Sequence, residues 1–188
     1  MSLTTEAPHI TAPEAYPGDK TTTKAAEPEL LKVEITGDRY TSKEFKDQEW
    51  THMWRRVWMI AGMADDCAEP GDFFTCDLGH EPLLFVRGKD GVNGFYNICQ
   101  HRGAKLVLQE KGMMDSFSCI YHGWKYGLEG ELIEAQDRDD FERDPCEHVR
   151  LADFRTEIFA GFVWYCLDDD APGLDEFLGD MKEQLESW

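Results

Sequence analysis

From residue 57 onward the chain alternates short apolar runs with turn residues: VWMIAG, DFFTCDL, PLLFVR, VNGFYN, DSFSCI and WKYGL, then VRLADF, TEIF and GFVWYCL. Runs of this length, rich in Val, Ile, Phe, Trp and Tyr and bounded by Gly, Asp and Asn, predict strands. Asp90-Gly91, between PLLFVR and VNGFYN, is a hairpin signal, and Glu129-Gly130 is a second turn candidate. In both, glycine accommodates the positive φ that tight turns require. The expected core is therefore mainly antiparallel β. Between the two groups of strands, QDRDDFERDPCEH is polar and acid-rich and reads as a solvated loop.

Both ends read differently. Thr41 and Glu44 form a capping-box pattern ahead of KEFKDQEWTHMWRRV, where Phe45, Trp50, Met53, Trp54 and Val57 roughly follow helical spacing. One helix over residues 42–55 is the expectation, within an N-terminal helical segment of residues 39–56. Before it, residues 1–38 are expected to form a flexible arm, because Thr, Ala, Pro and Glu dominate up to about residue 28 and offer little to bury. At the other end, APGLDEFLGDMKEQLESW places Leu174, Phe177, Leu178, Met181, Leu185 and Trp188 at three- and four-residue steps. That is an amphipathic helical pattern, with Asp175 and Glu176 near its start. It stops without a Gly or Asn cap or a basic last turn, and so reads as cut rather than ended.

Composition narrows the function classes. The 188 residues are 41% hydrophobic, which suits a packed domain. No apolar run approaches the ~20 residues that span a bilayer. The N-terminus lacks the basic start and apolar stretch of a secretory signal, so a cytoplasmic location is expected. A net charge of −19 argues against nucleic-acid binding, which depends on Lys and Arg neutralising phosphates. It also disfavours acidic membrane surfaces. In a reducing compartment, patterned cysteines more often hold metal than pair with each other. Four of the six, Cys67, Cys76, Cys146 and Cys166, have no histidine in pattern and are expected to be free thiols packed as small hydrophobes.

The other two carry the chemistry. Cys99 and His101 stand two apart in CQHRGAKL, and Cys119 and His122 stand three apart in CIYHGWKY. Each pair follows an expected strand, so two loops can each offer one thiolate and one imidazole to a shared site. Two Cys and two His can hold zinc tetrahedrally. They can equally hold a 2Fe-2S cluster in which two His replace two Cys on one iron. In a classical zinc finger each ligand type is clustered in sequence, whereas here each loop carries one of each. That order suits a binuclear cluster held between two loops.

These two stretches closely resemble the Rieske motif, in the form found in the large subunits of aromatic-ring-hydroxylating oxygenases. FKDQEWTHMWRRVWMIAG, EPGDFFTCDLGHEPLLFVRGKDGVNGFYNICQHRGA and IFAGFVWYCLDDDAPGLDEFLGD extend the resemblance from about Tyr40 onward. It implies an antiparallel Rieske-type iron-sulfur domain over residues 57–168. Cys99 and Cys119 would ligate one iron, and His101 and His122 the other. It also implies electrons received from a ferredoxin or reductase and passed to a mononuclear non-heme iron in a catalytic domain or a neighbouring subunit. Residues 169–188 would be an amphipathic helix leading to that domain.

Details of the resemblance bear on potential and partners. High-potential Rieske proteins carry two further Cys and a Ser where this chain has Ala104, Tyr121 and Trp124. Fewer donors to the cluster imply a low potential, near the about −150 mV end of the Rieske range. Arg102, Lys105, Lys111 and Lys125 form a possible basic docking patch. Trp124 and Tyr126 read as packing that excludes water. Outside the two loops only His9, His52, His80 and His148 remain, with no pair suited to a second iron site. A stand-alone Rieske carrier and a zinc-stabilised binding module are the alternatives.

Overall fold

The computed structural model describes residues 36–187, so His9 and most of the expected arm lie outside the described residues. The chain divides into two units, Met1–Thr41 and Ser42–Trp188. Of the first, a single turn of helix is described, α1 (Asp38–Thr41), with the Thr41 hydroxyl donating to the Gly37 carbonyl.

The second unit begins with α2 (Lys43–Glu49). Its N-cap is Ser42, not Thr41: the Ser42 hydroxyl accepts the Phe45 N–H at 3.2 Å and donates to the Glu44 carboxylate. Nor does one α-helix run through 42–55. From Trp50 to Trp54 the helix widens into a π turn. There the Trp50 ring lies on Gly79, so closely that a Cβ on that glycine would sit 2.7 Å from it. The contact falls at the first residue of the π turn.

Ten strands follow: β1 (Met59–Met63), β2 (Asp72–Leu78), β3 (Glu81–Arg87), β4 (Val92–Tyr96), β5 (Lys111–Met113), β6 (Phe117–Ser118), β7 (Lys125–Tyr126), β8 (Leu132–Glu134), β9 (Asp153–Phe159) and β10 (Phe162–Cys166). A seven-stranded sheet has the order β1-β10-β9-β4-β3-β2-β5, and a three-stranded sheet the order β6-β7-β8. Every pairing is antiparallel. The Asp90-Gly91 and Glu129-Gly130 signals fall in the β3–β4 and β7–β8 connections respectively.

Along β3, Leu83 and Phe85 enter one core while Leu84 and Val86 enter another, all with no exposed surface. A period of two in a strand without a polar face means that both faces are covered. The larger sheet therefore separates two cores. One holds Phe74, Phe154, Val163 and Tyr165. The other joins Phe73, Leu84 and Phe95 to Phe117, Tyr126 and Leu132 of the small sheet, and includes Cys99 and Cys119. The ligand loops are thus rooted in a shared core.

A third cluster packs Trp58, Trp164 and Cys166 against Leu174 and Leu178 of α3 (Leu174–Leu178). The expected single C-terminal helix is two, because Gly179 takes a φ of +50°, ends α3 and lets α4 (Met181–Glu186) start in a new direction. All six cysteines are free, and Cys67 and Cys166 are buried. Burial pushes the Cys67 thiol up to about 12, and the neighbouring Asp72 adds to the rise. Among the described residues no helix is long and apolar enough to cross a membrane.

Candidate metal centre

The two Cys-His loops share one backbone design. In the first, the Cys99 N–H donates to Ala104 O (2.8 Å) and the Gly103 N–H returns to Cys99 O (3.0 Å). In the second, the Cys119 N–H donates to Trp124 O (2.8 Å) and the Gly123 N–H returns to Cys119 O (2.9 Å). Gly103 and Gly123 take φ values of +73° and +69°, which residues with a Cβ adopt only at a cost. Each loop is therefore a tight closed turn that carries a Cys at its root and a His inside it.

The first loop is also tied at its base. Asn97 is wholly buried, and its amide donates to Val107 O while accepting the Val107 N–H, both at 2.8 Å. One side chain thus does the work of a missing strand partner and closes residues 97–107. The second loop needs no such clamp, since it joins two paired strands, β6 and β7.

Both Cys99 and Cys119 are buried at the root of the site, and their thiols interact directly. Burial is the main cause that holds the Cys99 thiol above its ordinary range. Loading a metal therefore releases a proton there. The His101 and His122 rings meet edge to face, with centroids 4.7 Å apart. Burial, then the neighbouring His122 and Arg102, lower the His101 pKa and favour the neutral ring that a metal requires. His101 Nδ1 is buried with no hydrogen-bond partner. An orphaned buried acceptor or donor costs about 1–3 kcal/mol, and coordination would remove that cost.

The donors come in pairs, Cys with Cys and His with His. Among the described residues no three His, Cys, Asp or Glu side chains converge to hold one ion. A structural zinc takes four ligands on one ion. A mixed-ligand 2Fe-2S cluster takes two protein ligands per iron, with sulfides supplying the rest. The observed pairing is the one that such a cluster requires.

Tyr126 has a role that its sequence position did not reveal. Its hydroxyl accepts the Gln100 N–H at 3.0 Å and lies 3.4 Å from Cys99 Sγ. Once Cys99 is a thiolate, which can only accept, the phenolic proton is directed at the sulfur. Burial raises the phenol's pKa and keeps that proton in place. Removing a donor to charged sulfur disfavours the reduced state by roughly 1.5 kcal/mol, or about 60 mV for one electron. Tyr126→Phe is expected to lower the potential by about that amount in a redox titration.

The basic patch is weaker than expected. Lys105 pairs with Asp77 at 3.2 Å, Lys111 with Asp66 at 3.4 Å and Lys125 with Glu134 at 3.2 Å. Apolar side chains stand out from the loops instead: Ile120 is 77%, Tyr121 62% and Leu108 61% exposed. His52, His80 and His148 lie on the surface of the described chain.

An antiparallel β domain carrying two Cys and two His on matched loops has the architecture and donor set of a binuclear iron-sulfur protein. The chain belongs to the Rieske [2Fe-2S] domain family, which it matches over residues 57–152. It is 30% identical over 150 residues to the glycine betaine monooxygenase oxygenase subunit of Pseudomonas aeruginosa, a match covering 79% of this chain and 35% of that protein. It is 34% identical over 149 residues to the biphenyl 2,3-dioxygenase alpha subunit of Rhodococcus jostii, covering 76% and 32%. Among solved structures it resembles a quaternary ammonium Rieske monooxygenase, with a TM-score of 0.74, 30% identity and coverage of 80% and 41%. A naphthalene 1,2-dioxygenase gives 0.71, 34%, 76% and 33%. The chain spans about a third of the length of the curated relatives it matches.

Proposed function

We propose that this chain is the electron-transfer part of a Rieske oxygenase large subunit. Cys99 and Cys119 hold one iron of the 2Fe-2S cluster and His101 and His122 the other. The observation that carries the ligand assignment is the pairing: two loops of one backbone design bring thiol to thiol and imidazole to imidazole. When bound, the cluster supplies reversible one-electron chemistry. The protein's part is to bury the two sulfurs, aim the Tyr126 hydroxyl at Cys99 and hold the two rings together near the surface.

Relatives named for glycine betaine and relatives named for biphenyl or chlorobenzene each match 76–79% of this chain, at 30–35% identity. What they share here is accordingly the delivery of electrons rather than the choice of substrate. The donor is a ferredoxin or reductase, and the acceptor is a mononuclear iron in a catalytic domain or neighbouring subunit. The exposed Ile120, Tyr121 and Leu108 beside the ligands suit a face that meets another protein surface. Six free cysteines accord with a reducing, cytoplasmic setting. With Ala104, Tyr121 and Trp124 in place of further Cys and Ser, the potential lies toward the low end of the Rieske range, and the Tyr126 donor raises it within that end.

The purified chain is expected to be red-brown, with about two irons and two acid-labile sulfides, and to take up one electron from a low-potential reductant. One equivalent of zinc without sulfide, from cells grown with ample iron, would overturn the reading. His122→Cys is expected to retain some cluster at a lower potential, because thiolate replaces neutral imidazole on one iron. An unchanged potential in that variant would remove His122 from the ligand set.

A further inference from the structure

Trp124 makes a contact that simple exclusion of water does not require. Its indole lies parallel to the His101 imidazole, with ring centroids 4.7 Å apart and an interplanar angle of 11°. It is 5% exposed and is also met by Phe141, whose ring lies edge-on at 5.9 Å and 62°. Phe141 belongs to the acidic segment after the small sheet. That segment is braced by the Arg138–Asp144 ion pair and by Asp144 Oδ1 accepting the Cys146 N–H. Gln136 of the same segment lies over Gly123, 3.0 Å from where a Cβ would stand. The stretch from Gln136 to Asp144 therefore clasps the second ligand loop from outside, and Trp124 transmits that clasp to the histidine of the first.

We infer that Trp124 is a positioning residue, which sets the plane of the His101 ring toward the cluster, and that Phe141 seats Trp124. The inference rests on the cluster reading above. A ring on a loop can rotate about its χ2 axis, whose torsional well is broad. A parallel aromatic face restricts that rotation, because offset and edge contacts between aromatic rings are favourable. His101 needs such a restraint because, with Nδ1 the buried nitrogen that coordination would use, neither ring nitrogen has a hydrogen bond among the described residues to fix the plane. Metal-bound histidines are commonly oriented by a hydrogen bond on the remote nitrogen. Within this chain the Trp124 stack is the contact that fixes the plane of the ring.

The test compares three variants of the 188-residue chain with the parent, reading the electron paramagnetic resonance line width and the potential of the reduced cluster. Trp124→Leu keeps an apolar cover but removes the stack. It is expected to broaden the lines, as ring orientation becomes distributed, and to shift the reduced-to-oxidised ratio at a fixed poise. Trp124→Phe restores a ring face and is expected to return both readouts toward the parent. A Leu variant that loads cluster with parental line width and potential would overturn the inference and leave Trp124 as cover alone. If the Leu variant fails to load, Phe141→Ala decides, since Phe141 is 40% exposed and outside the core. Broadened lines in it support the inference, and parental lines overturn it. A parent chain that holds no iron and sulfide would instead count against the cluster reading itself.

Discussion

Cys119→Ala is expected to abolish cluster binding, with iron and sulfide falling from about two each per chain to background and the colour lost. The reason lies in how the site is built. Cys119 is 3% exposed and belongs to the core shared by the two sheets, so no solvent ligand or nearby side chain can take its place. Its backbone N–H and carbonyl both close the loop that carries His122, and alanine keeps those bonds. The fold is therefore expected to persist while the metal is lost. Circular dichroism beside iron and sulfide analysis separates the two. Cys99→Ala is expected to behave alike. In contrast, alanine at Cys67 or Cys166, equally buried but remote from the loops, should leave cluster content unchanged.

Asn97→Ala is expected to give the largest loss of stability among single changes near the site. Asn97 has no exposed surface, and its amide satisfies both backbone groups of the buried Val107. Alanine leaves that N–H and C=O without partners, at about 1–3 kcal/mol each. The total, roughly 2–6 kcal/mol, is a large share of the 5–15 kcal/mol typical of a domain. Urea denaturation of parent and variant measures it. Asn97→Asp can still accept the Val107 N–H but sets a carboxylate against the Val107 carbonyl, and is expected to be no better. A loss below about 1 kcal/mol in the alanine variant would mean that the clamp is not what closes the first loop.

What was legible in the sequence follows from the range over which each feature is encoded. The strands were legible because their period and turn residues are local, as in PLLFVR, Asp90-Gly91 and VNGFYN. The candidate ligands were legible because Cys and His are rare and come in short, ordered pairs. Features that depend on a distant partner were not. The Asn97 clamp requires Val107, ten residues on, and the Tyr126 hydroxyl reaches Cys99 only through the fold. The contact of Trp50 with Gly79 likewise joins residues far apart in the chain. Lys105, Lys111 and Lys125 looked like a free basic patch until Asp77, Asp66 and Glu134 came beside them. Gly179 was a local signal, outweighed by a helical period that continued across it.

These observations also separate two kinds of contribution to the site. Surface ion pairs such as Lys105–Asp77 are worth little individually. Buried, fully satisfied hydrogen bonds such as those of Asn97 and Tyr126 hold the loops and direct a proton at sulfur. The contacts that hold the two loops are therefore rooted in the core, while Ile120, Tyr121 and Leu108 stand exposed beside them.

The central claim is that two cysteines hold one iron and two histidines the other. Mössbauer spectroscopy of the reduced chain, loaded with iron-57, tests it most directly. The account predicts two unequal iron sites in a one-to-one ratio: a ferric site with sulfur donors only, and a ferrous site that also has nitrogen donors. Two equivalent sites, or a single mononuclear iron, would contradict it.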